Sequence, residues 1–256
     1  MYEEYFGFTE KPFNLAPDPD YLFPSRQHKN AFSSLDFGLI DDSGLILFTG
    51  EIGTGKNTII RYMLRKMSDE FNVAVVFNTN VTSDQLLASI LEEFGLSPDN
   101  ASKAGAIKAL SSYLIDARSK GKRPLLIIDE GQSLSLDALE EVRLLSNLQD
   151  GKKTLLQIML VGQPELKAKL HTPAMASMTQ RIAVNYHLKP FNREETGQYI
   201  AHRLETAGGQ PDLFSVGAVN MIHQMTGGIP RAINILCHAA LVYGFADEIP
   251  IIGTQV

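Results

Sequence analysis

The sequence contains one cysteine, Cys237, and no tryptophan. A single thiol cannot close an internal disulfide, and it removes paired-cysteine redox motifs and cysteine-rich zinc sites. A reducing compartment suits such a chain. No apolar run approaches the roughly 18 residues of a membrane span; the longest are short, such as Leu125–Ile128. The first residues, Met1 to Tyr5, are acidic and lack the basic-then-apolar pattern of a leader. There is no lysine- or arginine-rich run, and the net charge is −6. That balance argues against direct nucleic-acid binding along a basic face. His171, His187, His202, His223 and His238 lack metal-ligand spacing. Internal repeats, low-complexity tracts and a serine-hydrolase elbow are also missing. What remains is 256 residues, 44% apolar and 20% charged. This is an ordinary globular composition, long enough for one large domain or a large domain with a small one attached.

The first 30 residues crowd Tyr5, Phe6, Phe8, Phe13, Tyr21 and Phe23 among Pro12, Pro17, Pro19 and Pro24. Such a segment reads as a proline-stiffened arm with aromatic anchors, either packed on the body of the protein or covering a flat ligand such as a base. Beyond it, apolar runs at Leu45–Thr49, Val73–Phe77, Leu125–Ile128, Leu155–Val161 and Ala183–Leu188 predict strands. Continuous rather than alternating runs suit a parallel sheet covered on both faces. Helical stripes lie between them: Leu86, Leu87, Ile90, Leu91 and Phe94 behind a Ser83-Asp84 cap, then Ile107, Leu110, Leu114 and Ile115. This alternation predicts an α/β fold. From Pro190 only helical segments follow, near 193–207, 215–225 and 231–243, parted by Gly208-Gly209 and Gly227-Gly228. The expected division is an arm at 1–30, an α/β core at 31–190 and a small helical subdomain at 191–256, with Cys237 packed in that subdomain beside Ile233 and Leu236.

The first strand runs into Gly50-Glu51-Ile52-Gly53-Thr54-Gly55-Lys56-Asn57-Thr58. Strand, glycine-rich loop, lysine and helix form the P-loop arrangement. Its glycines turn backbone N–H groups onto phosphate oxygens, and the helix adds the positive end of its dipole. Lys56 is placed to reach the β- and γ-phosphates of ATP. The pattern calls for a hydroxyl after the lysine to ligate Mg²⁺, and this chain has Asn57. Thr58 is turned away by about 100°. The Asn57 carbonyl is a possible oxygen ligand, so nucleotide binding is expected to survive with weaker metal placement.

The run Leu125–Ile128 ends in Asp129-Glu130. Ligands of open α/β sheets bind at the carboxyl ends of strands. Asp129 is therefore assigned to Mg²⁺, and Glu130 to the attacking water of ATP hydrolysis. Gln163, just past the fourth strand, is either a γ-phosphate sensor or a turn residue before Pro164. Arg231, at a helix start, and Arg181, before the fifth strand, are each either a functional cation or half of a surface ion pair.

Taken together these residues resemble the ATPase domain of the ExeA/GspA-type AAA+ proteins, which accompany type II (general) secretion, pilus assembly and exosortase-linked polysaccharide systems in bacteria. The residues carrying the resemblance are Met1-Tyr2, Tyr5 to Phe8, Pro12-Phe13, Pro17 to Pro19, Ser25, His28, Thr49 to Lys56, Ile128 to Glu130 and Gln132. It continues through Glu141 to Asn147, Leu160 to Leu166, Gln180 to Ile182, Gly228 to Asn234 and Leu236-Cys237. The resemblance implies an ATPase with a parallel sheet of order 5-1-4-3-2 and a helical lid. It gives Gln163 the sensor 1 role, Arg231 the sensor 2 role, and Arg181 that of an arginine finger acting in trans. It places the arm, with Tyr5 and Phe6, near adenine. A homo-oligomer, a nucleotide-dependent ring, is implied, with cell-envelope or inner-membrane assembly proteins as partners. The location implied is the cytoplasm, or the cytoplasmic face of the inner membrane reached through a partner or a further C-terminal region. Three departures stand out: Asn57 for threonine, Gly131 for alanine, and a chain that stops at Val256 where longer relatives continue into a membrane span. Two other readings compete: an assembly switch gated by nucleotide with hydrolysis impaired at Asn57, and a DNA-transposition ATPase, against which the acidic charge speaks.

Overall fold

In the computed structural model the described residues are 2–16, 18–42, 44–67, 69–97, 102–151 and 153–255. Met1, Pro17 and Val256, which enter the sequence comparison above, lie outside them. Five strands form one sheet: β1 (Leu45–Gly50), β2 (Phe71–Val76), β3 (Arg123–Ile128), β4 (Gln157–Gly162) and β5 (Ile182–Leu188), in the order β2-β3-β4-β1-β5. The order is the expected 5-1-4-3-2 read from the other edge. The β2–β3, β3–β4 and β4–β1 pairings are parallel. Every residue of β1 and β4 is buried, as strands covered on both faces require. β2 and β5 sit at the edges and are only partly buried, and in β5 Ala183 and Asn185 are exposed.

The helices begin with α1 (Tyr2–Phe6), α2 (Arg26–Ile40), α3 (Lys56–Lys66), α4 (Ser83–Glu93), α5 (Lys103–Ser119), α6 (Leu136–Leu145), α7 (Pro164–Leu170) and α8 (Ala176–Thr179). The last three helices are α9 (Arg193–Thr206), α10 (Val216–Thr226) and α11 (Pro230–Ala246). Some local expectations need correction. The cap of α4 is Thr82, one residue ahead of Ser83, because Thr82 and Gln85 satisfy each other's backbone N–H groups in a capping box. Ile115 points to solvent, and Ala117 takes the buried place on α5 with Leu110 and Leu114. β4 begins at Gln157 rather than Leu155; the Gln157 amide is fully buried and donates to the carbonyls of Gly38 and Leu39 at the end of α2. Phe77 lies past the end of β2 and is exposed. No helix among the described residues is long and apolar enough to cross a membrane.

The chain forms two compact units. One comprises Ala31–Gly50 and Met63–His187. Its core joins Leu45 and Leu47 of β1 to Leu126 and Ile128 of β3, Ile158 and Leu160 of β4, and the apolar faces of α4 to α6. The other comprises Met1–Asn30, Glu51–Tyr62 and Leu188–Val256. Its core is the arm packed on α9 to α11: Phe13 meets Phe214 edge-on, and Phe23 meets Phe191. Arg203 clamps the two parts, donating to the carbonyls of Pro12 and Asn14 while stacking over the Tyr21 ring at 4.3 Å. Cys237 is fully buried in this core near Ile233 and Leu236.

Candidate nucleotide-binding site

Gly53 and Gly55 hold φ values of +81° and +101°, a region costly for any residue with a Cβ. Between them Thr54 closes the turn, its hydroxyl donating to the Glu51 carbonyl at 2.9 Å. Lys56 opens α3 and is nearly buried, with its ammonium donating to the same carbonyl at 3.1 Å. The loop thus curls around the lysine, with the α3 N-terminus at its end, as an anion site needs. Asn57 is exposed on the first turn of α3, Thr58 half-buried and Ile52 exposed.

Two partners of this loop belong to the same unit. Arg231 donates its backbone N–H to the Gly53 carbonyl at 3.1 Å, so the start of α11 is tied to the loop. A methyl at Gly53 would lie 2.6 Å from the Arg231 Cβ. The Arg231 side chain itself is exposed. The second partner is His28. Its Nδ1 meets the Ser25 hydroxyl at 2.8 Å, its ring packs on Phe191, and its Nε2 would lie 3.3 Å from a methyl at Gly55. Burial holds the imidazole uncharged, lowering its pKa to about 4. Sequence reasoning assigned His28 no role; the only local signal is Ser25 three residues ahead of it at a helix start. Tyr5 and Phe6 are a correction. They pack on Phe245 and Gly244, about 20 Å along α11 from the Arg231 end. The structure does not bring them to the loop.

The other functional side chains stand at the carboxyl ends of β3 and β4, which lie beside β1 and its last residue, Gly50. Asp129 is buried, and its carboxylate accepts the Glu130 N–H at 2.8 Å. Glu130 is exposed and adopts a left-handed backbone with φ +50°, a costly state for glutamate. The Thr79 hydroxyl fastens its carbonyl at 2.9 Å. Gln163, the residue ahead of α7, donates its side-chain amide to the Glu130 carboxylate at 3.2 Å. The structure therefore joins Glu130 to Gln163. Gly131 is buried, and a methyl there would lie 3.1 Å from Leu166 and 3.2 Å from the Val161 carbonyl, tighter than ordinary packing. Glycine suits this backbone better than alanine. Arg181 is exposed in the turn between α8 and β5, remote in sequence from these groups.

The donors present fit a nucleotide with a divalent cation. The loop sets two positive-φ glycines beside a nearly buried lysine at the first turn of α3, a donor set suited to phosphate. No cluster of three or more His, Cys, Asp or Glu occurs among the described residues, and Mg²⁺ bound through phosphates needs only one or two protein oxygens.

Comparison with known proteins agrees with this geometry. Residues 40–170 match the AAA domain family. The chain is 40% identical over 250 residues to general secretion pathway protein A of Aeromonas hydrophila, covering 96% of this chain and 45% of that protein. It thus spans less than half the length of that relative. Among solved structures it resembles the Aeropyrum pernix ORC2 protein (TM-score 0.68, 17% identity, 96% of this chain and 69% of that one). It also resembles Cdc6p of Pyrobaculum aerophilum (TM-score 0.67, 16% identity, 92% and 68%). The Thermotoga maritima RuvB branch migration motor is a third (TM-score 0.57, 18% identity, 89% and 65%). These likenesses show the fold. With its strand order, its phosphate loop and the family match, the chain belongs to the AAA+ ATPase family.

Proposed function

We propose that the chain binds ATP with Mg²⁺ and hydrolyses it, using the turnover to assemble or remodel a cell-envelope secretion, pilus or polysaccharide-export apparatus. The observation that carries the ATPase reading is the curled loop of Gly53 and Gly55 around a nearly buried Lys56, following a strand whose neighbours end in Asp129, Glu130 and Gln163. Gly50 to Thr58 hold the phosphates through backbone N–H groups, and Lys56 neutralises their charge. Asp129 and the Asn57 carbonyl are the oxygens available to Mg²⁺, which when bound neutralises the phosphate oxygens. Glu130 takes a proton from water as the water oxygen attacks the γ-phosphorus. The bond to the β–γ bridging oxygen breaks, and ADP leaves. Gln163 orients that water, Arg231 meets the phosphates from the lid, and Arg181 serves the site of a neighbouring copy in a ring. The working division is arm 1–30, core 31–190 and lid 191–256. The envelope role is supported by the name of the Aeromonas relative. It implies action at the cytoplasmic face of the inner membrane.

One observation favours a second reading. Asn57 lacks the hydroxyl expected at the metal, so the chain can work as an assembly switch that binds ATP and turns it over slowly. Nucleotide affinity and steady-state hydrolysis of the chain, Lys56→Ala, Glu130→Gln and Asn57→Thr test both. Lys56→Ala is expected to lose binding. Glu130→Gln is expected to keep binding and lose turnover by about 100-fold or more. Asn57→Thr is expected to raise Mg²⁺-dependent turnover. Negligible turnover of the chain with nucleotide still bound, no lower in Glu130→Gln, overturns the enzyme reading, and turnover unchanged in Asn57→Thr removes the basis of the switch.

A further inference from the structure

Gln132 has no role in the reading above, yet it stands between the two groups that matter most at the acidic end of the sheet. Its Oε1 accepts the backbone N–H of Gln163 at 3.0 Å. A backbone N–H can only donate, which fixes the orientation of the carboxamide. The Nε2 of Gln132 is then directed at the Glu130 carboxylate and donates to Oε2. Gln163 donates its own Nε2 to that same oxygen. Lys169 on α7 donates to the carbonyls of Gln132 and Leu134, at 2.6 and 2.7 Å, and pins the turn that carries Gln132. Room for the carboxamide comes from Gly162, where a methyl would lie 2.8 Å from Gln132 Oε1. Glu130 meanwhile is held in a strained left-handed backbone, and strain of this kind persists where the surroundings enforce it.

We infer that Gln132 is a positioning residue for ATP hydrolysis: its carboxamide couples the end of β3 to the end of β4 and fixes the plane of the Glu130 carboxylate. Both amides meet Oε2, so Oε1 is the oxygen that takes the proton from water. Gln132 acts through Glu130 and Gln163, the residues its carboxamide bonds. The inference rests on the reading of Glu130 as the base.

The test compares kcat and KM for ATP, together with nucleotide affinity, in the chain, Gln132→Ala, Gln132→Glu, Glu130→Gln, Glu130→Asp and Gln132→Ala/Glu130→Asp. Gln132→Glu keeps the size of the side chain and the acceptor for the Gln163 N–H, but loses the donor and sets a like charge beside Glu130. Both Gln132 variants are expected to lower kcat by about 10- to 100-fold with KM and affinity within about twofold. In the Glu130→Asp background the carboxylate is one methylene too short to reach the amides. There Gln132→Ala is expected to change kcat by less than about twofold, the non-additivity of residues that act together. Normal turnover in Gln132→Glu, a rise in kcat in either variant, a loss confined to KM, or an undiminished loss in the Glu130→Asp background would each overturn the inference. If Glu130→Gln keeps its turnover, the base assignment itself fails. If Glu130→Gln is inactive and the Gln132 variants are normal, only the inference fails.

Discussion

A methyl group added at Gly53 meets two obstacles. The backbone there has φ +81°, which costs a residue with a Cβ about 1–2 kcal/mol. The new carbon also lies 2.6 Å from the Arg231 Cβ and 3.3 Å from Ile229 Cγ2. The Arg231 Cβ is fixed to the backbone of α11 and cannot swing aside, so overpacking adds about 1–3 kcal/mol. The sum, about 2–5 kcal/mol, disfavours the loop conformation that offers its N–H groups to phosphate. Apparent affinity falls with the population of the competent state, one decade for about 1.4 kcal/mol. Gly53→Ala is therefore expected to weaken ATP binding by about 30-fold or more. Gly55→Ala is the control. Its φ of +101° carries similar strain, but its methyl meets only His28 Nε2 at 3.3 Å, a far milder approach than the 2.6 Å at Gly53. Its loss is expected to be about 5- to 30-fold, the strain alone. Titration with a fluorescent nucleotide measures both, and thermal unfolding without nucleotide checks that each variant is folded. Equal losses at the two glycines, or Gly53→Ala binding within about threefold of the parent, would refute the idea that the start of α11 shapes the loop.

Two further outcomes follow from the unit that contains the arm. Arg203→Ala leaves the Pro12 and Asn14 carbonyls without their charged donor, a loss of about 3–5 kcal/mol. A fall in Tm near 10 °C is expected for a chain of this size, with early proteolysis in the arm. Arg203→Lys does not restore it, since the ammonium lacks the planar fork; a Tm within about 2 °C of the parent in Arg203→Ala refutes the clamp. His28 makes stability depend on pH. Its folded pKa, about 4, lies below the ordinary 6.5, so the unfolded chain binds the extra proton first. Stability is full above pH 6.5 and declines as pH falls toward 4, by about 3 kcal/mol in all. His28→Gln is expected to flatten that window in denaturant titrations, and an unchanged slope would show that His28 is not its source.

How much of this was legible in the sequence depended on how local the cause was. Continuous apolar runs announce the central strands because burial on both faces leaves little room for a polar residue, as in β1 and β4, and the edge strands β2 and β5 follow the pattern less strictly. The loop is legible for the same reason: Gly53 and Gly55 are demanded by their own backbone angles. Errors came where a distant partner decides. Leu155 looks like a strand start, but the buried amide of Gln157 finds its acceptors 118 and 119 residues away on α2. Tyr5 and Phe6 resemble ring-stacking residues, but α11 offers them Phe245 and Gly244 far from the loop.

Gln132 shows the limit most plainly. In the sequence it is one polar residue after an acidic pair. Its meaning arises only when parallel pairing of β3 with β4 sets Ile128 opposite Leu160 and brings residues 132 and 163 together. The same pairing explains why glycine stands at position 162, whose backbone angle does not require it: a methyl there would displace the carboxamide. The glycine at 162 thus answers a close approach by two residues, Leu166 and Gln132, the second of which bonds Glu130. The chemistry of the site is written in motifs of neighbouring residues, while its alignment is written in contacts that only the sheet creates.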